Sequence, residues 1–103
     1  MVTQQAETKK PTSIFINAKQ WRDKIHGSTY FAAQISIDGE IVGYLPFQYG
    51  YENAYQWEAI RWLYYNGYIP ALAPLWSVIN SGPAVYSTIK DGKKAEVKAH
   101  GTK

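Results

Sequence analysis

Two histidines and eight carboxylates are the residues of this chain that could move protons or hold a metal, and there is no cysteine to join them. His26 and His100 lie far apart, and neither has a second ligand at the spacing a zinc or iron site needs. The serines lack a G-x-S-x-G setting, and no G-x-x-x-x-G-K-[ST] or G-x-G-x-x-G loop is present to cradle a phosphate. Asp23, Asp38, Glu40, Glu52, Glu58, Asp91 and Glu96 fall at turns or on outward helix positions, where carboxylates are ordinarily solvated. The expectation is a protein that is not an enzyme, with no catalytic residue, no metal ligand and no cofactor.

Aromatic and basic side chains are the chemistry that remains. Aromatics make up 16% of the chain, and residues 43 to 70 alone hold seven of nine tyrosines and two of four tryptophans. Some of this area fills the core, and exposed aromatic area otherwise marks a subunit contact or a binding face. Trp21, Arg22, Tyr30, Tyr49, Tyr51, Trp57, Arg61 and Tyr65 form the candidate binding surface. Beside Lys19, Arg22 and Arg61 such rings could also stack nucleic-acid bases.

The net charge of +3 is unevenly spread. Residues 12 to 83 hold four basic against five acidic groups, whereas 84 to 103 hold five lysines against Asp91 and Glu96. Lys90, Lys93, Lys94 and Lys98 are candidate phosphate contacts. Lysines on an exposed edge strand also guard against aggregation, so the cluster has a structural use too.

These side chains need a scaffold, and the periodicity supplies one. Residues 1 to 11 are polar and aperiodic, a disordered lead-in. From Ser13, Ile14, Ile16 and Ala18 alternate with Phe15, Asn17 and Lys19, a strand reaching about Arg22. Gly27 is the left-handed residue of the turn that follows. From Thr29 to Ile37, Phe31, Ala33, Ile35 and Ile37 share one face, and Tyr30, Ala32, Gln34 and Ser36 the other. Asp38-Gly39 is a two-residue hairpin signal: a type I′ turn would pair Ile35 with Val42, a bulged turn Ile35 with Ile41. The third strand runs from Glu40 to about Phe47, and Pro46 places that end at a sheet edge or stops the strand.

A helix over 53 to 66 follows the Tyr49-Gly50-Tyr51 turn, with Asn53 and Gln56 as a capping box and Asn66-Gly67 as the stop. Tyr55, Ala59, Trp62 and Leu63 form its apolar stripe, and Glu58, Arg61 and Tyr65 look outward. A short helix from Pro74 to Asn80 and a strand from Ala84 to Ile89 come next, then a weaker run over 94 to 99 that is a strand or a tail. The fold class is α+β: an antiparallel sheet in β-β-β-α-β order with one main amphipathic helix on one face, a two-layer sandwich.

At 103 residues and 46% hydrophobic content the chain has room for one core, assigned to residues 12 to 90, with 91 to 103 a basic C-terminal strand or tail. It has no signal-peptide h-region and no apolar run long enough for a membrane span, so a cytoplasmic protein without membrane contact is expected.

Gly27-Ser28-Thr29-Tyr30, Asp38-Gly39-Glu40 with Gly43, Pro46-Phe47-Gln48-Tyr49-Gly50-Tyr51, and Tyr55, Ala59, Leu63, Gly67 and Tyr68 together resemble small uncharacterised proteins of tailed bacteriophages. The resemblance spans residues 14 to 70 and departs from the pattern at Glu52, where the family's Tyr-Gly-Tyr-Gly run has glycine. It implies a phage origin and a host-cytoplasm setting, and carries no activity. Three functions fit: a non-catalytic binding protein that self-associates through aromatic surface as a homo-oligomer, a weak salt-dependent nucleic-acid binder, and a phage-encoded inhibitor of a host enzyme or defence factor.

Overall fold

The computed structural model describes residues 13–69, 71–74 and 84–102. The lead-in expected at residues 1 to 11, and the short helix expected from Pro74 to Asn80 beyond its first residue, lie outside them. The described elements are β1 (Ser13–Asp23), β2 (Ser28–Ile37), β3 (Glu40–Tyr49), α1 (Ala54–Tyr65), β4 (Ala84–Asp91) and α2 (Lys94–His100).

The first three strands form an antiparallel meander. Asp38 at φ +51° and Gly39 at φ +91° make the two-residue turn, which pairs Ile37 with Glu40. Neither register expected beyond it survives, because a bulge sets Ile35 opposite Gly43 and Ala33 opposite Leu45. A second bulge lies between the Phe31–Gln48 and Ala33–Leu45 pairs. It accommodates Pro46 on a strand that stands at the sheet edge, so the strand continues to Tyr49.

The sheet order is β3-β2-β1-β4, and β4 pairs parallel to β1 from Ser13–Ala84 to Gln20–Asp91. The sheet is therefore mixed, not wholly antiparallel as expected. A helix between β3 and β4 carries the chain back along the sheet, so β4 enters in the direction of β3 and hence of β1.

α1 buries Tyr55, Ala59, Ile60 and Leu63 against Ile14, Ile16, Ala18, Phe31, Ala33, Ile35 and Leu45. Trp62 lies over Gly43, where any side chain would collide with the indole, and stacks on Tyr68 at 5.8 Å. The helix stops as expected: Gly67 takes φ +81°, its N–H donates to the Tyr64 carbonyl and the Tyr68 N–H to the Leu63 carbonyl. Its expected capping box does not form. Asn53 sits at φ −96°, ψ 19° and makes no side-chain cap, because the extended backbone that aims a cap at the first turn is absent. Gln56 instead donates through Nε2 to Ser87 Oγ at 3.1 Å, tying α1 to β4.

The C-terminal segment expected as a strand or tail is the helix α2, and it packs on the opposite face of the sheet. The Lys93 N–H donates to the Glu96 carboxylate at 2.9 Å, closing the first turn, and Ala95 and Ala99 favour the helix intrinsically. Val97 is fully buried, and the His100 Nε2–H donates to the Asn17 carbonyl at 2.6 Å. A Cβ on Gly101 would meet the Leu45 carbonyl oxygen at 2.6 Å and Ala32 Cβ at 2.8 Å, so the chain leaves the helix flush against the sheet. The α+β sandwich thus gains a partial third layer.

Candidate functional site

Strand register gathers the aromatic residues. On the α2 face, Trp21 pairs with Tyr30 across β1 and β2, and Tyr30 with Tyr49 across β2 and β3. The bulge around Pro46 turns Phe47 to that same face. The rings form one row: Trp21 to Tyr30 at 5.8 Å, Tyr30 to Phe47 at 5.2 Å and nearly parallel, and Tyr30 edge-on to Tyr49 at 5.9 Å. Lys94 and Lys98, one helical turn apart on α2, set their ammonium groups 5.1 Å from the Trp21 ring and 5.4 Å from the Phe47 ring.

Where β4 ends, β1 continues through Trp21, Arg22 and Asp23, leaving a notch in the sheet edge. The notch is an open concavity of about 530 Å³ walled by Trp21, Arg22, Lys24, Lys93 and Lys94, with Asp91 as its carboxylate. Gln20 holds that carboxylate through Nε2 at 2.7 Å. A second concavity of about 630 Å³ has Arg22, Thr29, Tyr49, Tyr51 and Glu52 in its wall, so Arg22 belongs to both.

The outer side of α1 is a separate surface. Trp57 is 44% exposed and Tyr65 74%, with Tyr64 packed edge-on to Tyr65 at 5.2 Å. Arg61 lies between them and pairs with Glu58 at 3.6 Å.

The expected binding surface therefore divides in two. Trp21, Arg22, Tyr30, Tyr49 and Tyr51 gather at one end of the sheet with Lys93, Lys94 and Lys98, whereas Trp57, Arg61 and Tyr65 lie on α1. Lys90 stands opposite Lys19 in the β1–β4 register. Phe47, Lys24 and Gln20 join the first group, although their sequence setting does not mark them as binding residues. Their signals were a Pro-Phe pair after a bulge, a cation in a hairpin turn and a strand amide, each too common to stand out.

Among the described residues, the one carboxylate–imidazole contact is a turn clasp. Asp23 accepts from His26 Nδ1–H at 2.8 Å and from the backbone N–H groups of Ile25 and His26, and the His26 hydrogen bond holds its carboxyl below the usual range. Among the described residues no three of His, Cys, Asp and Glu are grouped to hold a metal ion, and no helix is long and apolar enough to cross a membrane. No family model, curated protein or solved structure matches the chain.

Proposed function

We propose that the chain is a non-catalytic binding protein that associates with itself through the outer face of α1, working in the host-cell cytoplasm that its phage-like motifs imply. The observation that carries this reading is the cluster of Trp57, Tyr64 and Tyr65 left in solvent around Arg61. Aromatic and arginine side chains are enriched at interface centres because they bury large areas at low entropic cost and keep a polar handle. The face is also self-complementary in charge. Two α1 helices packed antiparallel about a two-fold axis would exchange the Glu58–Arg61 pair, Arg61 of one copy meeting Glu58 of the other.

Sedimentation velocity across a micromolar series tests this. The wild-type chain is expected to form a dimer, and a Trp57→Ser/Tyr65→Ser variant, altered only at exposed positions, to sediment as a monomer with an unchanged melt. A strictly monomeric wild type would remove self-association. The face would then be open to a different protein, the host-inhibitor function, which capture from host lysate with and without the same substitutions would examine.

A further inference from the structure

The overhanging end of β1 carries a charge pattern that self-association through α1 does not use. Strand backbone groups alternate sides. The Gln20 carbonyl accepts from Gly92 on the β4 side, so the Arg22 N–H, two residues on, turns toward the notch. Every described lysine and arginine except Arg61 lies here or on the α2 face: Lys19, Arg22, Lys24, Lys90, Lys93, Lys94 and Lys98. Lys19 and Lys90 directly face one another across β1 and β4, an arrangement that like charges oppose.

Three carboxylates at this end, Asp23, Asp91 and Glu96, keep their charge but stand against seven cations, and their hydrogen bonds run to other groups. Asp23 is taken up by His26 and two turn N–H groups, Asp91 by Gln20, and Glu96 by the Lys93 N–H. Among the described residues the ion pairs are His26–Asp23 and Glu58–Arg61, neither of which includes a cation of the cluster. A net excess of cations around a tryptophan-walled notch, outnumbering its single carboxylate Asp91, is suited to phosphate. The adjoining concavity adds Tyr49 and Tyr51, 62% and 58% exposed, reached past the shared Arg22.

We infer that this end of the sheet binds single-stranded nucleic acid, a phosphodiester lying in the notch at Arg22, Lys24, Lys93 and Lys94 and a neighbouring base resting on Tyr49 or Tyr51. Exposed rings beside a cationic track select single strands, because a duplex keeps its base faces stacked inside. Glu52 in the wall of the base cavity opposes a second phosphate there and orients the strand with its backbone toward the notch.

Fluorescence anisotropy with a labelled oligothymidylate of about 15 nucleotides, at the upper end of the footprint of small single-strand binders, tests the site. If three or four phosphates are neutralised, affinity falls about 20- to 50-fold between about 50 and 200 mM salt. Arg22→Gln/Lys93→Gln, at exposed positions and with its melt checked, should bind at least about tenfold more weakly at low salt and lower the salt slope by about 1.4. Tyr51→Ser should weaken binding and leave that slope unchanged. The Trp57→Ser/Tyr65→Ser variant should still bind, which keeps this site distinct from the α1 face. Absence of binding at low salt, equal affinity for a duplex of the same length, displacement by equimolar inorganic phosphate, or wild-type affinity in Arg22→Gln/Lys93→Gln would overturn the inference.

Discussion

One sheet presents two unlike faces. Beneath α1, Ile14, Ile16, Ala18, Phe31, Ala33, Ile35 and Leu45 meet Tyr55, Ala59, Ile60 and Leu63, a sealed apolar layer whose polar link to β4 runs through Tyr55, Gln56 and Ser87. Beneath α2, the buried residues among those described are Ala32, Val97, His100 and Gly101, while Trp21, Tyr30 and Phe47 lie half-covered below lysine stems. Strand alternation makes the two faces chemically independent, since neighbouring residues point opposite ways. The first face gains its energy from area removed from water, which requires closure. The second leaves its rings and ammonium groups partly in solvent, which closure would forbid.

Leu63→Asp should break the comparison at its stronger side. An unpaired charge in that layer costs several kcal/mol against a total stability of about 5 to 15, so the cooperative melt should disappear. A folded Leu63→Asp protein would show that α1 does not supply the core. Gly50→Val comes next. A Cβ at residue 50 would stand 2.7 Å from Phe31 Cε2 and 2.9 Å from Ala54 Cβ, and the backbone there has φ +159°. Overpacking between sheet and helix is expected to cost about 1 to 3 kcal/mol and to lower Tm accordingly.

Val97→Ala probes the other face. Loss of two buried methyl groups should cost about 1 to 2 kcal/mol, with hydrogen exchange accelerated over α2 and unchanged over α1. A uniform acceleration would mean that the two faces unfold as one and that the contrast is only chemical. The smallest effect belongs to His26→Ala. Because the His26 hydrogen bond depresses the Asp23 carboxyl, its stabilisation is present above the ordinary carboxylate range and is lost as pH falls through the lower folded-state value. The variant should move the Asp23 titration upward, as followed by NMR of that carboxyl. An unmoved titration would assign the depression to the Ile25 and His26 N–H groups.

The legible parts of this fold are those written in short stretches of chain. Asp38-Gly39 marks the hairpin because both positions need positive φ, and Asn66-Gly67 marks the helix stop because Gly67 alone takes it. The register beyond the hairpin was not legible, since Ile41, Val42 and Gly43 alternate no better in one pairing than the next until Trp62 claims the space over Gly43. α2 escaped notice because a helix of seven residues that buries Val97 and His100 leaves too short a stripe to show a period. Ala32 looked like an outward residue among polar neighbours, and only the helix above it makes it core. The aromatic row could be suspected from composition, but the notch exists because two strands end at different heights, which is a property of their pairing.

The parallel pairing of β4 with β1 also sets an order of events along the folding path. β1, β2 and β3 meet through tight turns, whereas contacts such as Gln20 to Asp91 close a separation of 71 residues. Loop closure over such a length is entropically costly and slow, so the meander should collapse first and wait for its fourth strand. Pulse-labelled exchange should then protect the β1–β2 amides before those of β4, and simultaneous protection would contradict that order. On a ribosome, β4 and α2 emerge after the meander. Until they do, β1 is an unpaired edge with Ile14, Ile16 and Ala18 beside it, and that interval is when this chain is most exposed to aggregation.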